Sequence, residues 1–445
     1  MSSDLLNIAA SGVRAARAGL DVTSQNIANA GTEGYVRRSL RQSEVALAGG
    51  YGRVGDLSLS GVRIDGLQRN ADGFRQAEVR RTSGDARRAS EELQTWQNVE
   101  AALEQARVFP ALTQFENALQ RLATDPVDPS LRTAVLEDAR TLTKTFNLAA
   151  SGLDTVAEGL HFDADAGVAQ VNLFGQQLAQ LNVQLARATP GSSDQVSLLD
   201  RRDALLKNLS DYTDLSVSFA ADQTVTVRIG GAAGPQLVAG NTSGTLTSAT
   251  AGDGTLSFAL GASAVTLSSG SLAAAAQGLV MVRDTRTSLD AVADSLIATA
   301  NAAQASGVAL DGTPGQPMFS GSGAAGIALA LGSGAQLATA PAGAPAGSRD
   351  PANLAAMRNA FSAADISGQA SGLLFQVASA TQGRKLTSEA LDAIAGAARL
   401  ALDSQAGVNL DEEAVNLVRF QQAFQASSKA IQVASDMFDT LLAIR

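Results

Sequence analysis

The 445 residues contain no cysteine and a single histidine, His161. The first absence excludes a disulfide framework, thiolate catalysis and cysteine-ligated zinc. The second leaves no second histidine to complete a catalytic or metal-binding set. No apolar run approaches the ~20 residues of a membrane span, so membrane insertion is not expected. Asp4, with no basic residue before Arg14, argues against a cleaved secretory signal, and any export would use an uncleaved address. The net charge of −10 disfavours nucleic acid as the main partner. That charge is uneven: residues 1 to 88 hold 13 arginines and 9 acids, a basic arm on an acidic body that would help copies pack on one another.

What the chain does have is a period of seven at both ends. Leu410, Leu417, Phe424, Ile431 and Phe438 recur every seven residues, seconded by Phe420, Ala434 and Leu441. At the other end Leu6, Val13, Leu20 and Ile27 do the same, each followed three places later by Ala9, Ala16, Thr23 and Ala30. Such a period marks coiled-coil helices that need a partner. The stripes measure roughly 40 and 30 Å, long enough to lie side by side. Periodicity alone leaves open an ordinary helical hairpin within one chain. The small residues of the second seam would let further helices approach closely.

Between the ends, the length suggests about three domains. Gly31 is expected to cap the first helix through a positive φ. Asp128 and Pro129 open the longest periodic run, Leu131 to Leu185, which as one helix would approach ~85 Å; its glycines suggest a break near Gly167. From 216 to 277 charge nearly vanishes and alternation appears at Val217 and Phe219, at Val225, Val227 and Ile229, and at Leu256, Phe258 and Leu260, a small β unit. Residues 320–350, rich in Gly, Ala, Ser and Pro, read as a flexible segment or surface loop. Asn409 with Glu412 forms a capping-box arrangement at the start of the last helix.

The fold class expected is mainly α with a β insertion. Paired terminal coiled-coil helices occupy 1–36 and 405–445, a discontinuous helical rod domain occupies 37–215 and 278–404, and a β-rich outer insertion occupies 216–277.

Candidate chemistry is thin. Gly321, Gly323 and Gly326 spell GxGxxG, but no convincing strand precedes them, so a pyrophosphate cradle is not expected. His161, Asp163 and Asp165 do not all share one helix face. Asp200, Arg201, Arg202 and Asp203 read as exposed charges on an amphipathic helix. Asp411, Glu412 and Glu413 fit a first helical turn, where acids complement the helix dipole. No enzyme, cofactor or metal is expected.

The segment Asn26 to Tyr35, NIANAGTEGY, following Ser11, Gly12 and Leu20, resembles the N-terminal signature of bacterial flagellar rod, hook and hook-associated proteins. Gly407 to Ile431, GVNLDEEAVNLVRFQQAFQASSKAI, continued by Met437 to Leu442, is similar to the FlgK family of hook-associated proteins more than to the others. Arg419 to Gln422 departs from the register usual in rod and hook proteins. Asp125 to Asp128 with Leu131 and Arg132, Leu198 to Asp203, and Asp311 and Gly312 with Met318 and Phe319 agree. The likeness covers roughly three quarters of the chain and omits the β insert and 320–350. Better-known members carry an additional outer domain that is not recognised here.

That resemblance implies a structural protein secreted unfolded through the flagellar type III channel and located at the hook-filament junction. Its implied partners are itself in a helical ring, hook protein on one side, the second junction protein or the filament on the other, and an export chaperone on the C-terminal helix. The assembly interface is expected on Leu6, Val13, Leu20 and Ile27 with Leu410, Leu417, Phe420, Phe424, Ile431, Phe438 and Leu441. In the N-terminal motif, Asn26, Asn29, Gly31, Gly34 and Tyr35, the asparagines either close the helix end locally, the preferred reading, or touch a neighbouring subunit. The arms are expected to order only as neighbours bury them. The alternatives are a hook or rod axial protein and a cytoplasmic coiled-coil binding module.

Overall fold

A computed structural model of the chain describes residues 2–32, 34–48 and 57–443. The elements run in the order α1 (Ser2–Ala28), β1 (Arg38–Ala48), β2 (Leu57–Arg69), α2 (Gly73–Ala106), α3 (Val108–Leu122), α4 (Pro129–Arg187) and α5 (Ser193–Ser210). Short strands follow: β3 (Leu215–Phe219), β4 (Val225–Ile229), β5 (Gln236–Ala239), β6 (Thr242–Ser243), β7 (Leu246–Thr250), β8 (Leu256–Leu260) and β9 (Ser263–Val265). Then come α6 (Gly270–Ala305), β10 (Gly307–Val308), β11 (Phe319–Ser320), α7 (Gly323–Gly326), β12 (Ala328–Leu329), β13 (Ala340–Pro341), α8 (Ala352–Ala364), α9 (Ile366–Ala406) and α10 (Leu410–Ala443). The chain is mainly α with small sheets, 66% helical. Among the described residues no helix is long and apolar enough to cross a membrane.

Two compact units share these elements. The first is Met1–Gly84, Gln170–Leu246 and Asp392–Arg445; the second is Asp85–Ala169 and Thr247–Leu391. The stretch expected as one β insertion forms two sheets, β3-β4-β5-β6 and β7-β8-β9. In the first unit β1 and β2 form a long antiparallel hairpin with register shifts at Arg41/Gln42 and Glu44/Ala46.

In α4 the cap works as its sequence predicts. Asp128 Oδ1 accepts from the amides of Ser130 at 2.7 Å and Leu131 at 2.9 Å, and Pro129 takes the first helical position. The break expected near Gly167 is absent, because α4 runs unbroken for 59 residues. Two of its glycines, Gly152 and Gly175, are points of close approach, while Gly159 faces open space. Within the second unit, a Cβ at Gly152 would lie 3.0 Å from the Ala102 methyl; within the first, one at Gly175 would lie 2.6 Å from Ser243 Oγ. Packing there outweighs the ~1 kcal/mol helix penalty of each glycine.

The second unit is built around Phe115, whose ring meets Phe319 and Phe361 edge-on at 6.1 and 5.9 Å, among Leu112, Leu119, Leu142 and Leu296. Residues 320–350 are not a loose surface loop. Ala324, Ile327, Leu331, Leu337 and Ala340 are buried. Distant side chains satisfy the backbone of this segment. Arg132, 1% exposed, donates to the carbonyls of Pro126, Gly334 and Leu337 and to Thr339 Oγ1. Small residues and low charge mark a flexible linker when solvated, but they equally permit tight packing once polar partners exist elsewhere. At GxGxxG, the amides of Gly323 and Ala324 bond Asp294 and Asp290, each at 2.7 Å, so carboxylates occupy the end where a phosphate would sit.

One turn recurs three times: Ala220 to Thr224, Ala251 to Thr255 and Ala309 to Thr313, each Ala-x-Asp-x-Thr. In each, the Asp Oδ1 accepts from the Thr amide (2.9 to 3.1 Å) and the Thr hydroxyl (2.6 to 2.7 Å). These bonds hold all three carboxyls below the usual range, and with Arg283 they bring Asp253 to about 2. The fourth residue has positive φ, filled by Gly254, Gly312 and, with a side chain, Gln223 at φ 65°.

Candidate assembly surface and its clamp

In the first unit α1 and α10 pack antiparallel, through small residues. A Cβ at Gly12 would lie 2.7 Å from Ser427 Oγ, and one at Gly19 2.6 Å from the Phe420 ring. The residues buried on α1 are Ala9, Ser11, Ala15, Ala16, Gly19, Val22, Thr23 and Asn26; on α10 they are Glu413 and Ala434. The tight seam on α1 therefore follows the second, small-residue set of the heptad pattern, where backbones approach most closely.

Some large stripe residues stay exposed beside this seam, whereas Phe420, expected on the assembly interface, packs into it against Gly19. Leu6, Ile27, Leu410 and Phe438 are exposed by 41, 37, 54 and 51%. Val13, Leu20, Leu417, Phe420, Phe424 and Ile431 are half-buried. Leu441 belongs to α10, but its side chain lies outside the described residues. Leu5, Ile8, Val415, Val418, Val433 and Met437, which the heptad pattern did not single out, are exposed as well. One chain thus closes a small-residue seam and leaves apolar surface uncovered on both helices, of the kind that marks an interaction site.

A polar clamp fixes the base of the pair. Asn26 is fully buried; its Nδ2 donates to the Arg38 carbonyl at 2.9 Å, while its Oδ1 accepts from the Arg38 amide at 3.1 Å and the Tyr35 hydroxyl at 2.9 Å. This is the local reading of the motif, in which one asparagine ties the end of α1 to the start of β1. Among the described residues Asn29 bonds only nearby, donating to the Gln25 carbonyl and accepting from Thr32. Helix α1 ends at Ala28, before Gly31, and Gly31 does not take positive φ. The left-handed residue is Gly34, at φ 78°, because the reversal into Tyr35 falls three places later.

Around Arg38 a set of charges closes. Its Nη2 donates to Asp200 Oδ2 at 2.8 Å, and its guanidinium lies 4.9 Å from the Tyr35 ring centre. Arg69 donates to Asp203 Oδ2 at 2.7 Å; its Nε approaches Asp200 Oδ1 to 2.8 Å, an electrostatic contact not aligned as a hydrogen bond, so both atoms lack a hydrogen-bond partner. Arg202 binds Asp203 Oδ1 at 2.8 and 3.0 Å, the Gln223 carbonyl at 2.9 Å, and covers the Phe219 ring. Gln76 adds a bond to Asp203 at 3.0 Å. Burial pushes the Asp200 carboxyl up against the pull of Arg69 and Arg38, whereas for Asp203 burial is overcome by Arg202 and Arg69, which hold it low.

The reading of Asp200 to Asp203 as exposed helix charges is thereby corrected: Arg202 is buried and both carboxylates are engaged, leaving only Arg201 outward. The partners, Arg38 and Arg69, lie far away in sequence. The legible signal was the excess of arginine in residues 1 to 88.

The start of α10 is gripped too. The Arg37 amide donates to the Ala406 carbonyl at 2.9 Å, and its guanidinium binds Glu413 at 2.6 Å and Glu412 at 3.4 Å. Asn409 Oδ1 caps the amides of Asp411 and Glu412. Glu413 is therefore a buried ion-pair partner as well as a first-turn acid. This constellation presents no nucleophile with a base. What it can do is hold both chain connections to the terminal pair, 28–38 and 406–413, in one geometry.

Three family models match the chain. The flagellar hook-associated protein FlgK helical domain covers residues 93–319, the C-terminal segment of flagellar basal body rod FlgEFG proteins covers 402–444, and the flagella basal body rod protein model covers 6–35. Flagellar hook-associated protein 1 of Salmonella typhimurium is 30% identical over 247 residues, covering 54% of this chain and 43% of that protein. Its namesakes in Escherichia coli and Bacillus subtilis are 29 and 27% identical, covering 54 and 50% of this chain and 44 and 47% of theirs. The chain thus spans less than half the length of these relatives. A solved structure, the flagellar hook junction protein FlgK from Burkholderia pseudomallei, aligns with a TM-score of 0.49 and 25% identity over 55% of this chain and 46% of that one.

Proposed function

The chain belongs to the FlgK family of flagellar hook-associated proteins, and from that premise we propose that it is a structural subunit of the bacterial flagellum, forming a ring that joins hook to filament. The observation that carries the reading is the terminal pair: its two helices close on each other through Gly12 and Gly19 while Leu6, Ile27, Leu410 and Phe438 stay exposed. Surface of that kind on both helices suits burial by neighbouring copies. The clamp at Asn26, Arg38 and Asp200 suits a subunit that must transmit force from the terminal helices to the rest of its first unit.

In this proposal the terminal segments 1–36 and 405–445 form the assembly domain, with the large stripe residues as its interface. The partners are further copies, hook protein on one side and the second junction protein or filament on the other. The chain leaves the cell through the flagellar export channel with a chaperone on its last helix, and ordering of the arms is completed as neighbours bury them. Strong amide protection of both termini in the isolated monomer would refute that last step.

A hook or rod role takes its support from the terminal matches to rod-protein models. The central match over 93–319 favours the junction. Electron microscopy of cells lacking the protein, with an assay for filament protein in the medium, separates them. Finished hooks without filaments, and filament subunits lost to the medium, are expected; missing hooks would indicate a rod or hook component, and normal filaments would refute the structural role.

A further inference from the structure

The outward faces of α1 and α10 carry charges that meet no partner among the described residues. Arg14 and Asp21 on α1, and Lys429 and Asp436 on α10, are exposed, and none of the four joins an ion pair or side-chain hydrogen bond there. On each helix a cation precedes an anion by seven residues, a spacing of about 10 Å. Antiparallel apposition of such helices sets Arg14 against Asp436 and Asp21 against Lys429 simultaneously. Parallel apposition would set like charges together.

Neither pair can form within one chain. Gly12 meets Ser427 and Gly19 meets Phe420, which places Arg14 level with residue 425. Asp436 is eleven residues further on, roughly 16 Å along the axis. Eleven residues is close to three turns, so a second copy displaced by that distance presents the same helix faces. On the same outward side, Val418 and Val433 are 50 and 49% exposed, apolar surface beside the charges.

We propose that α1 of one copy docks antiparallel on α10 of a second copy, staggered by three turns from the intramolecular pairing, with the pairs Arg14/Asp436 and Asp21/Lys429 selecting the register. This deepens the ring reading and rests on it. A contact of α1 on α10 is heterologous, so each copy keeps a free α10 for the next and the array propagates. Pairing of α1 with α1 could also match Arg14 to Asp21, but it would close on two copies. Rim charges of this kind select register more than they add affinity.

The absence of native cysteine gives a direct test. Full-length Arg14→Cys and Asp436→Cys chains are produced together in a strain lacking the natural copy, and its flagella are oxidised and run on a non-reducing gel. A dimer band that requires both variants is expected, since a disulfide needs Cα atoms within about 7 Å. A dimer from either variant alone, or none from the mixture, would overturn the register. In parallel, Arg14→Glu should lower the number of filament-bearing cells about tenfold through like-charge contact, and Arg14→Glu with Asp436→Arg should restore it. An unaffected single variant, or a double variant no better than the single one, overturns the proposal; circular dichroism of the monomers verifies equal folding. If the deletion strain itself keeps its filaments, the junction reading fails. If it loses them and these variants behave otherwise, only the docking register fails.

Discussion

Replacing Asp203 by Asn should be among the most damaging single changes in the first unit. The carboxylate receives Arg69, Arg202 and Gln76, and Arg80 is buried close enough for Asp203 to stabilise its charge. Removing one partner of a buried ion pair costs about 3 to 5 kcal/mol, because the remaining charges stay desolvated. Arg69 keeps its contact with Asp200, and Arg202 keeps the Gln223 carbonyl and the Phe219 ring. These residual contacts place the loss near the lower end, about 3 kcal/mol. With urea slopes of about 1 to 3 kcal/mol per molar, the midpoint of the first unit's unfolding should fall by about 1 to 3 M. The pH dependence carries a second signature. Asp203 is held below its unfolded value, so its contribution is complete above about pH 4 and lost as pH falls through the lower folded value. Asp200 runs the other way: its raised folded pKa means that ionisation costs stability as pH rises through that value. Asp203→Asn should therefore flatten the acid limb of the stability curve as well as lower its plateau. Urea titrations followed by circular dichroism between pH 2 and 7 measure both, with Arg201→Ala, an exposed neighbour, as the control within ~0.5 kcal/mol. A loss below about 1 kcal/mol for Asp203→Asn would mean that the cluster is solvated and would refute the reasoning.

Other changes test the packing. Gly19→Ala should destabilise the α1/α10 pair by about 1 to 3 kcal/mol, since its Cβ would lie 2.6 Å from the Phe420 ring, and adding Phe420→Leu should recover part of that; amide exchange along α1 reports it. Gln223→Gly should stabilise by about 1 kcal/mol, because Gln223 holds the left-handed position that its two sibling turns give to glycine; an unchanged thermal midpoint would contradict this. Arg132→Lys should cost about 3 kcal/mol or more in thermal unfolding, since a point charge cannot serve the carbonyls of Pro126, Gly334 and Leu337 together with Thr339; a near-neutral result would mean that the 334–339 segment does not depend on the guanidinium fork.

How much was legible from sequence differs from element to element, for physical reasons. The Asp128-Pro129 start of α4, the Asn409 cap of α10 and the alternation at Val225, Val227 and Ile229 are local signals, and the local backbone obeys them. The heptad periods announced that both termini are helices in need of cover, whereas the arginine excess of the first 88 residues, read as an aid to packing between copies, supplies Arg38 and Arg69 to a cluster within the chain. Other features were decided only in three dimensions. Gly152 and Gly175 of α4, which lower helix propensity, became contact points, since the gain from close approach exceeds a penalty of about 1 kcal/mol each. Residues 320–350, linker-like by composition, became ordered and buried because Arg132, Asn147, Asp290 and Asp294 supply the hydrogen bonds that the segment lacks. Asp200 and Asp203, surface-like by helical position, became half of a buried charge cluster because the chain returns Arg38 and Arg69 to meet them. The sequence by itself determined that the termini are helical and the family to which the chain belongs. Which seam of α1 meets α10 was decided by tertiary structure: backbone approach at Gly12 and Gly19 depends on the partner helix, and no periodicity within one helix specifies it.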